Sequence, residues 1–187
     1  MNYSFLIYIG MACALCISAV GSGFGAGMAS LASVGGWKKC YANGKRFGDW
    51  EMDTIVDSFG HAILTLTERS TNFILMEKLK QGRKAMPTAK TVAWLLFPYR
   101  EHVLTITTDN GCEFAAHLEI TRLLSIRGRE KVTVFFADSY CSWQKGAIEN
   151  ANKLIRKYIP KKSNFDDFSD AKIMRIQKKS GGQEHKI

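Results

Sequence analysis

The chain has 187 residues, of which 46% are hydrophobic, and its 26 basic and 17 acidic residues give a net charge of +9 at pH 7. This is enough apolar material for a buried core, and five scattered cysteines, an odd number, argue against a disulfide framework and favour a reducing compartment. The charge is unevenly placed: residues 1–37 have none, and the segment from Arg46 onward has 23 basic and 17 acidic residues, a net of +6. We therefore expect one basic domain, suited to phosphate backbones, behind an uncharged appendage.

The appendage, residues 5–37, is apolar and rich in small residues. It is long enough to cross a bilayer, which takes about 20 residues. Glycine recurs at every second position from Gly21 to Gly27, which permits close helix packing in membranes. We predict a transmembrane helix here; a secretory signal is disfavoured because no basic stretch precedes the apolar run. If the segment inserts, Lys38 and Lys39 place the following domain on the cytoplasmic side.

Beyond the appendage, short runs of β-forming residues alternate with turns and helical patterns. The predicted elements, in chain order, are an antiparallel meander of strands Asp49–Val56, His61–Thr67 and Phe73–Leu79, a helix Pro87–Leu96, a strand Val103–Thr107, a helix Glu113–Leu124, a strand Lys131–Ala137 and a helix Gln144–Tyr158. Pro160 ends the last helix. This order predicts an α/β domain with a mixed sheet flanked by helices.

Three acidic residues stand where a catalytic metal could be held. Asp53 lies in the first strand, Asp109 follows the fourth strand, and Glu149 lies on the last helix. Carboxylate oxygens are preferred ligands of hard divalent cations, and two such ions can activate a nucleophile and stabilise a leaving oxygen at a phosphodiester. Asp109 could instead cap an Asn110-Gly111 turn, and Glu149 could be a solvated surface charge.

The phrases around these acids resemble those of one enzyme superfamily. They are Arg-Phe-Gly-Asp-Trp-Glu-Met-Asp-Thr at 46–54, Thr-Thr-Asp-Asn-Gly-Cys-Glu-Phe at 107–114, and the run from Ser142 to Arg156. The chain resembles the DDE transposase and retroviral-integrase superfamily, and bacterial insertion-sequence transposases in particular. The resemblance implies a ribonuclease-H-like catalytic core over residues 46–177. Asp53 and Asp109 are separated by 55 residues, a spacing that is ordinary for the superfamily. Asp109 and Glu149 are separated by 39 residues, which is longer than usual there, and the extra residues fall in a loop near 126–131.

The resemblance also implies a function and a ligand set. Asp53, Asp109 and Glu149 would bind two Mg²⁺ ions, with Mn²⁺ as a substitute, for phosphodiester cleavage and strand transfer in DNA transposition. The implied partners are element ends and target DNA, with a homo-oligomer as the acting form and the cytoplasmic nucleoid as its place. The candidate DNA-binding residues are Lys145, Asn152, Lys153, Arg156 and Lys161.

Other residues could take these roles. Asp49, Glu51, Glu113 and Asp138 are the alternative ligands, and Glu51 leads them because it shares a strand face with Asp53. Tyr140 and Trp143 could stack on unpaired bases or pack in the core.

The two ends of the chain suggest a chimera. Residues 1–45 resemble the first transmembrane helix and polar loop of the rotor-ring proteolipids of V-type ATPases. Residues 178–187 are expected to form a disordered, aberrant tail. Two further functions therefore stay open: a degenerate DNA-binding transposase remnant, and a membrane-inserted proteolipid-like chimera without catalysis.

Overall fold

The computed structural model describes residues 46–128, 131–138 and 141–181. Within these ranges the chain forms five strands: β1 (Asp49–Val56), β2 (Ala62–Glu68), β3 (Ile74–Lys78), β4 (Thr105–Thr108) and β5 (Thr133–Phe136). The α-helices are α1 (Ala85–Leu96), α2 (His117–Leu124), α3 (Gly146–Ile155) and α4 (Asp170–Ser180). Short 3₁₀ turns occupy Phe97–Tyr99, Cys112–Phe114, Ser142–Lys145 and Phe165–Asp167.

The strands form one mixed sheet in the order β3-β2-β1-β4-β5. β1, β2 and β3 pair antiparallel through short turns, whereas β4 and β5 run parallel to β1 and to each other. Parallel neighbours need a crossover, and α1 and α2 supply it between β3 and β4 and between β4 and β5. The predicted mixed α/β sheet with flanking helices is confirmed.

Alternation along β1 divides the core between the two faces of the sheet. Trp50 and Met52 are buried in a cluster that includes Val92 of α1 and Ile120 of α2. Ile55 lies in a second cluster with residues of α3 and α4. Because successive strand residues face opposite sides, Asp49, Glu51 and Asp53 share the α3 and α4 side of the sheet with Ile55.

The helix predicted for Glu113–Leu124 begins later than expected. Cys112–Phe114 forms a 3₁₀ turn, and α2 starts at His117 after Ala116, whose ψ of 32° lies outside the helical range. The physical reason is that Glu113 is buried and its carboxylate accepts a hydrogen bond from Thr54 of β1, which holds this turn against the sheet.

The tail boundary also needs correction. α4 continues to Ser180, and Ile173 and Ile176 bury its inner face, so residues 178–180 belong to the folded domain rather than to a disordered tail. Residues 182–187 lie outside the described ranges.

The transmembrane and proteolipid predictions for residues 1–45 likewise fall outside the described ranges. Within residues 46–128, 131–138 and 141–181, no helix has the length and apolar character needed to cross a membrane.

Candidate active site

The face of β1 toward α3 presents three carboxylates whose partners differ. Asp49 and Glu51 are almost fully buried, and Asp53 is half-buried. Asp49 accepts two hydrogen bonds from the Arg46 guanidinium, at 2.7 and 3.1 Å, and one from the Thr105 hydroxyl at 2.6 Å. It therefore ties the entry to β1 to the neighbouring strand β4, which is a structural task.

Glu51 anchors the beginning of helix α3. Its Oε2 accepts the backbone N–H of Ile148 at 2.8 Å, and its Oε1 lies 3.0 Å from Nε of Arg69. Burial raises the pKa of Glu51, against the opposing effects of the Ile148 N–H and Arg69. A carboxylate suits a helix N-terminus because the N–H groups there lack intrahelical partners and the helix dipole favours negative charge. Both oxygens of this alternative ligand are thus engaged, one by the first turn of α3 and the other by Arg69 after β2.

Asp53 and Asp109 come together around one cationic nitrogen. Nζ of Lys145 lies 3.2 Å from Oδ2 of Asp109 and 3.6 Å from Oδ1 of Asp53. The Lys145 side chain is 12% exposed, the Asp53 side chain 24% and the Asp109 side chain 48%, so the pair opens to solvent on the Asp109 side. Burial raises the pKa of Asp53; Lys145 opposes this rise, and the nearby charge of Asp109 adds to it. The ammonium of Lys145 therefore compensates the negative charge of Asp53 and Asp109 only in part.

Helix α3 supplies the remaining neighbours of Asp53. Nδ2 of Asn152 donates to Oδ2 of Asp53 at 2.9 Å, and the N–H of Thr54 donates to Oδ1 at 2.9 Å. Glu149 is half-buried in the first turn of α3. It is three residues before Asn152, so the two lie on neighbouring positions of the same helix face.

The acids differ in how closely the structure gathers them. Among the described residues, no three His, Cys, Asp or Glu side chains come together as a metal site. The structure therefore joins Asp53 and Asp109 but does not gather Glu149 with them. Asp53 and Asp109 fit a divalent cation, because their oxygens already surround the positive charge of Lys145. Carboxylate oxygens are also the ligand atoms that hard divalent cations prefer.

A second buried carboxylate borders the pair on the other face of β1. Glu113 accepts the Thr54 hydroxyl at 2.8 Å and lies 3.5 Å from Nη1 of Arg83. A Cβ at Gly111 would stand 2.8 Å from Oε2 of Glu113 and 3.1 Å from Oδ1 of Asp109. A side chain at position 111 would therefore displace the Glu113 carboxylate and crowd that of Asp109.

The predicted DNA-binding residues occupy three kinds of position. Lys145 and Asn152 contact the carboxylates described above. Arg156 donates to the Val56 carbonyl at 3.1 Å and lies over the Phe165 ring, and desolvation lowers its pKa. Lys153 and Lys161 are exposed.

Two further groups from the sequence prediction have other placements. Asp138, one alternative ligand, is held by Gln144, which accepts its N–H at 2.8 Å and donates to its Oδ2 at 3.1 Å. The side chains of Tyr140 and Trp143 lie outside what the structure describes.

Sequence reasoning missed Thr54 as a hydrogen-bond donor to Asp53 and Arg83 as the ion-pair partner of Glu113. Thr54 could have been suspected because it follows Asp53 directly. Arg83 had a weaker signal, four basic residues within positions 78–84, where a predicted strand ends and before the next predicted helix begins.

Comparison with known proteins relates the chain to transposases. No family model matches the chain. It is 41% identical, over 76% of its length, to the transposase for insertion sequence element IS4351 of Bacteroides fragilis. It is 33% identical, over 70% of its length, to transposase InsI for insertion sequence element IS30A of Escherichia coli strain K12. The chain spans 42% of the first relative and 33% of the second.

The comparison of structures concerns the fold. The catalytic core domain of BIV integrase aligns with a TM-score of 0.50 and 19% identity, covering 70% of this chain and 81% of that one. The relatives of the chain are thus insertion-sequence transposases, and its described region has the fold of a retroviral integrase catalytic core.

Proposed function

We propose that this chain acts on DNA as a transposase-type polynucleotidyl transferase, with Asp53 and Asp109 as the central carboxylates and Glu149 as the third. The single observation that supports this most is the convergence of Asp53 and Asp109 on one cationic nitrogen. The pair stands where a strand end meets helix α3, on an integrase-core fold, and the relatives of the chain are transposases.

Asp53 and Asp109, joined by Glu149 from α3, would hold Mg²⁺ or Mn²⁺. When bound, such a cation supplies Lewis-acid polarisation of the phosphate and lowers the pKa of an attacking water or hydroxyl. Asn152 and the Thr54 N–H fix both oxygens of Asp53, which keeps that carboxylate in one orientation. Preorganised polar groups of this kind lower the cost of reaching the transition state.

Lys145 has two tasks in this scheme. Its ammonium offsets the mutual repulsion of Asp53 and Asp109, which lets two carboxylates share a half-buried corner. Its N–H donors can also bond a phosphate oxygen, because lysine acts as a point charge toward phosphate. Exposed Lys153 and Lys161 lie further along the same chain segment and would contact the DNA backbone.

DNA binding without strand cleavage is the second candidate function. The position of Lys145 favours it, since a lysine that stays between Asp53 and Asp109 neutralises the pair without a metal. The two functions therefore differ in whether the carboxylate pair takes up a divalent cation.

The deciding experiment is nicking of supercoiled plasmid DNA by the full chain in Mn²⁺, beside Asp53→Asn and Asp109→Asn. We expect nicking by the parent and its loss in both variants, with Asp167→Asn, a change at an exposed carboxylate, behaving as the parent. Calorimetric titration with Mn²⁺ should show binding that both site variants lose. A parent that binds plasmid but neither nicks it nor takes up Mn²⁺ has the second function.

A further inference from the structure

The connection between β3 and α1 is strongly basic. Residues 78–84 read Lys-Leu-Lys-Gln-Gly-Arg-Lys, with four positive charges and no acid. Lys80, Arg83 and Lys84 are exposed, whereas Leu79 is 7% exposed and fixes the segment to the core. A rigidly attached, exposed basic segment is suited to a polyanion.

This segment borders a groove on the outside of helix α1. The groove has a volume of about 450 Å³, and its walls include Lys78, Lys80, Lys90 and Trp94, with Glu77 as the acidic member. Trp94 is 66% exposed, an unusual position for so large an apolar side chain. Lysines beside an open aromatic face are the groups that contact the phosphates and bases of an unpaired strand.

The connection that borders the groove is linked to the acidic pair through a chain of contacts. Arg83, within the same connection, forms its ion pair with Glu113, which is bonded to Thr54 next to Asp53. The strand register agrees, because Lys78 pairs with Ile63 of β2 and Ile63 pairs with Ile55 of β1. Both features therefore stand at the same end of the sheet, the groove beside α1 and the pair on the α3 side, so an extended strand would pass round this end to reach both.

We propose that this groove binds a single-stranded segment of DNA, with Trp94 stacking on a base and Lys80 and Lys90 contacting phosphates. The proposal rests on the proposed function in one respect, that the bound strand continues from the DNA at Asp53 and Asp109. Charge selects DNA over a protein partner, because an apolar partner would desolvate the groove lysines without compensation. The Lys80–Asp170 ion pair, 3.3 Å long with both side chains more than half exposed, exchanges readily for a phosphate contact.

The test is fluorescence anisotropy of a labelled oligo-dT of about 16 nucleotides, within the site sizes of single-strand binders. The full chain is used in EDTA, so that binding does not depend on a metal. We expect Trp94→Ala to weaken binding about 10-fold and Trp94→Phe to restore most of it, since one stacked base contributes on that scale. Lys90→Gln should reduce the slope of log K against log salt by about 0.7.

Matched controls separate this groove from general surface effects. Phe97→Ala removes another exposed aromatic side chain of the same region, and Lys179→Gln removes an exposed charge on α4. Both should bind oligo-dT as the parent does. Circular dichroism melts should show that all these variants are folded.

Three results would overturn the proposal. The first would be a parent that does not bind oligo-dT. The second would be Trp94→Ala and Lys90→Gln variants that bind oligo-dT as the parent does. The third would be a Trp94→Ala variant that dissociates a homo-oligomer in sedimentation velocity, which would make the groove a protein interface. Failure of the proposed function can be told apart from failure of this proposal, because oligo-dT binding in EDTA and plasmid nicking in Mn²⁺ are separate assays. Asp53→Asn should lose nicking while it still binds oligo-dT in EDTA.

Discussion

Two aspartates four residues apart, Asp53 and Asp57, show what distinguishes a reactive carboxylate from a structural one. Asp57 is buried and accepts hydrogen bonds from the N–H groups of Phe59, His61 and Phe165 and from Nδ1 of His61, all within 2.9 Å. Burial acts to raise its pKa, but these bonds outweigh burial and lower the pKa to about 2.

Asp53 has the opposite balance. Only the Thr54 N–H and the Asn152 amide bond it directly, Lys145 is 3.6 Å away, and burial raises its pKa. A carboxylate offers about four lone-pair sites, so the four donors at Asp57 use its capacity, whereas the two donors at Asp53 leave room for a ligand. The number of hydrogen-bond donors that face a buried carboxylate therefore distinguishes a candidate site residue from a structural residue.

The largest expected effect is at Asp53. Asp53→Asn should reduce plasmid nicking by more than about 100-fold, since loss of supporting residues around a metal already costs about 10- to 100-fold. The free energy of unfolding should hardly fall, because the replaced carboxylate was poorly compensated. A variant that melts well below the parent would show that Asp53 stabilises the fold as Asp57 does, and would contradict the difference drawn between them.

Glu51→Gln should reduce nicking by about 10- to 100-fold, because Glu51 positions α3 and hence Asn152, Lys145 and Glu149. Faster amide hydrogen exchange in residues 146–149, with Mn²⁺ affinity lowered, would identify positioning as the cause. Normal nicking with a loosened α3 would show that the helix need not be fixed. Glu51→Asp tests recovery with the charge retained.

Asp57→Asn should lower the free energy of unfolding by about 2 kcal/mol, because an amide N–H₂ would face N–H donors in a buried place. Nicking per folded molecule should be unchanged. Urea denaturation gives the first quantity, and nicking below the unfolding transition gives the second. Loss of nicking in fully folded protein would contradict the assignment of Asp57 to the scaffold.

The pH dependence of stability should follow the Asp57–His61 contact. The folded pKa of Asp57 is about 2, below its ordinary 3.8, so its stabilisation is complete above pH 3.8 and is lost as pH falls toward 2. The hydrogen bond that His61 donates to Asp57 raises the pKa of His61, so its stabilisation is complete below pH 6.5 and is lost as pH rises through the raised value. Urea denaturation across pH should show both losses, and Asp57→Asn should flatten them.

The smallest effect is expected at Glu119. It accepts two 2.7 Å hydrogen bonds from Arg122, which lower its pKa as bonding does for Asp57, but Arg122 is 68% exposed. Water can replace these bonds, so Glu119→Gln should leave the melting temperature unchanged. A clear drop in the melting temperature would show that hydrogen bonds to a carboxylate stabilise the fold even where they are exposed to water.

Much of the fold could be predicted from local patterns. The alternation of Asp49, Trp50, Glu51, Met52 and Asp53 in β1 follows from a side-chain period of two, and Asp109 follows a short buried strand. The start of α2 and the end of α4 could not be predicted. The first depends on Glu113 bonding to a distant strand, and the second on the packing of Ile173 and Ile176.

The order of the elements and the set of acids on one face of β1 follow from the pattern of residues along the chain. The strand period alone does not separate Asp49, Glu51 and Asp53, and it was the resemblance that singled out Asp53; Asp57 follows the strand. The tertiary structure supplies the physical difference between these acids, since many of their partners come from far along the chain. Ile148 reaches Glu51 across 97 residues, Asn152 reaches Asp53 across 99, and Phe165 reaches Asp57 across 108. Such contacts exist only after α3 and its following connection pack on the sheet, so no local pattern encodes them.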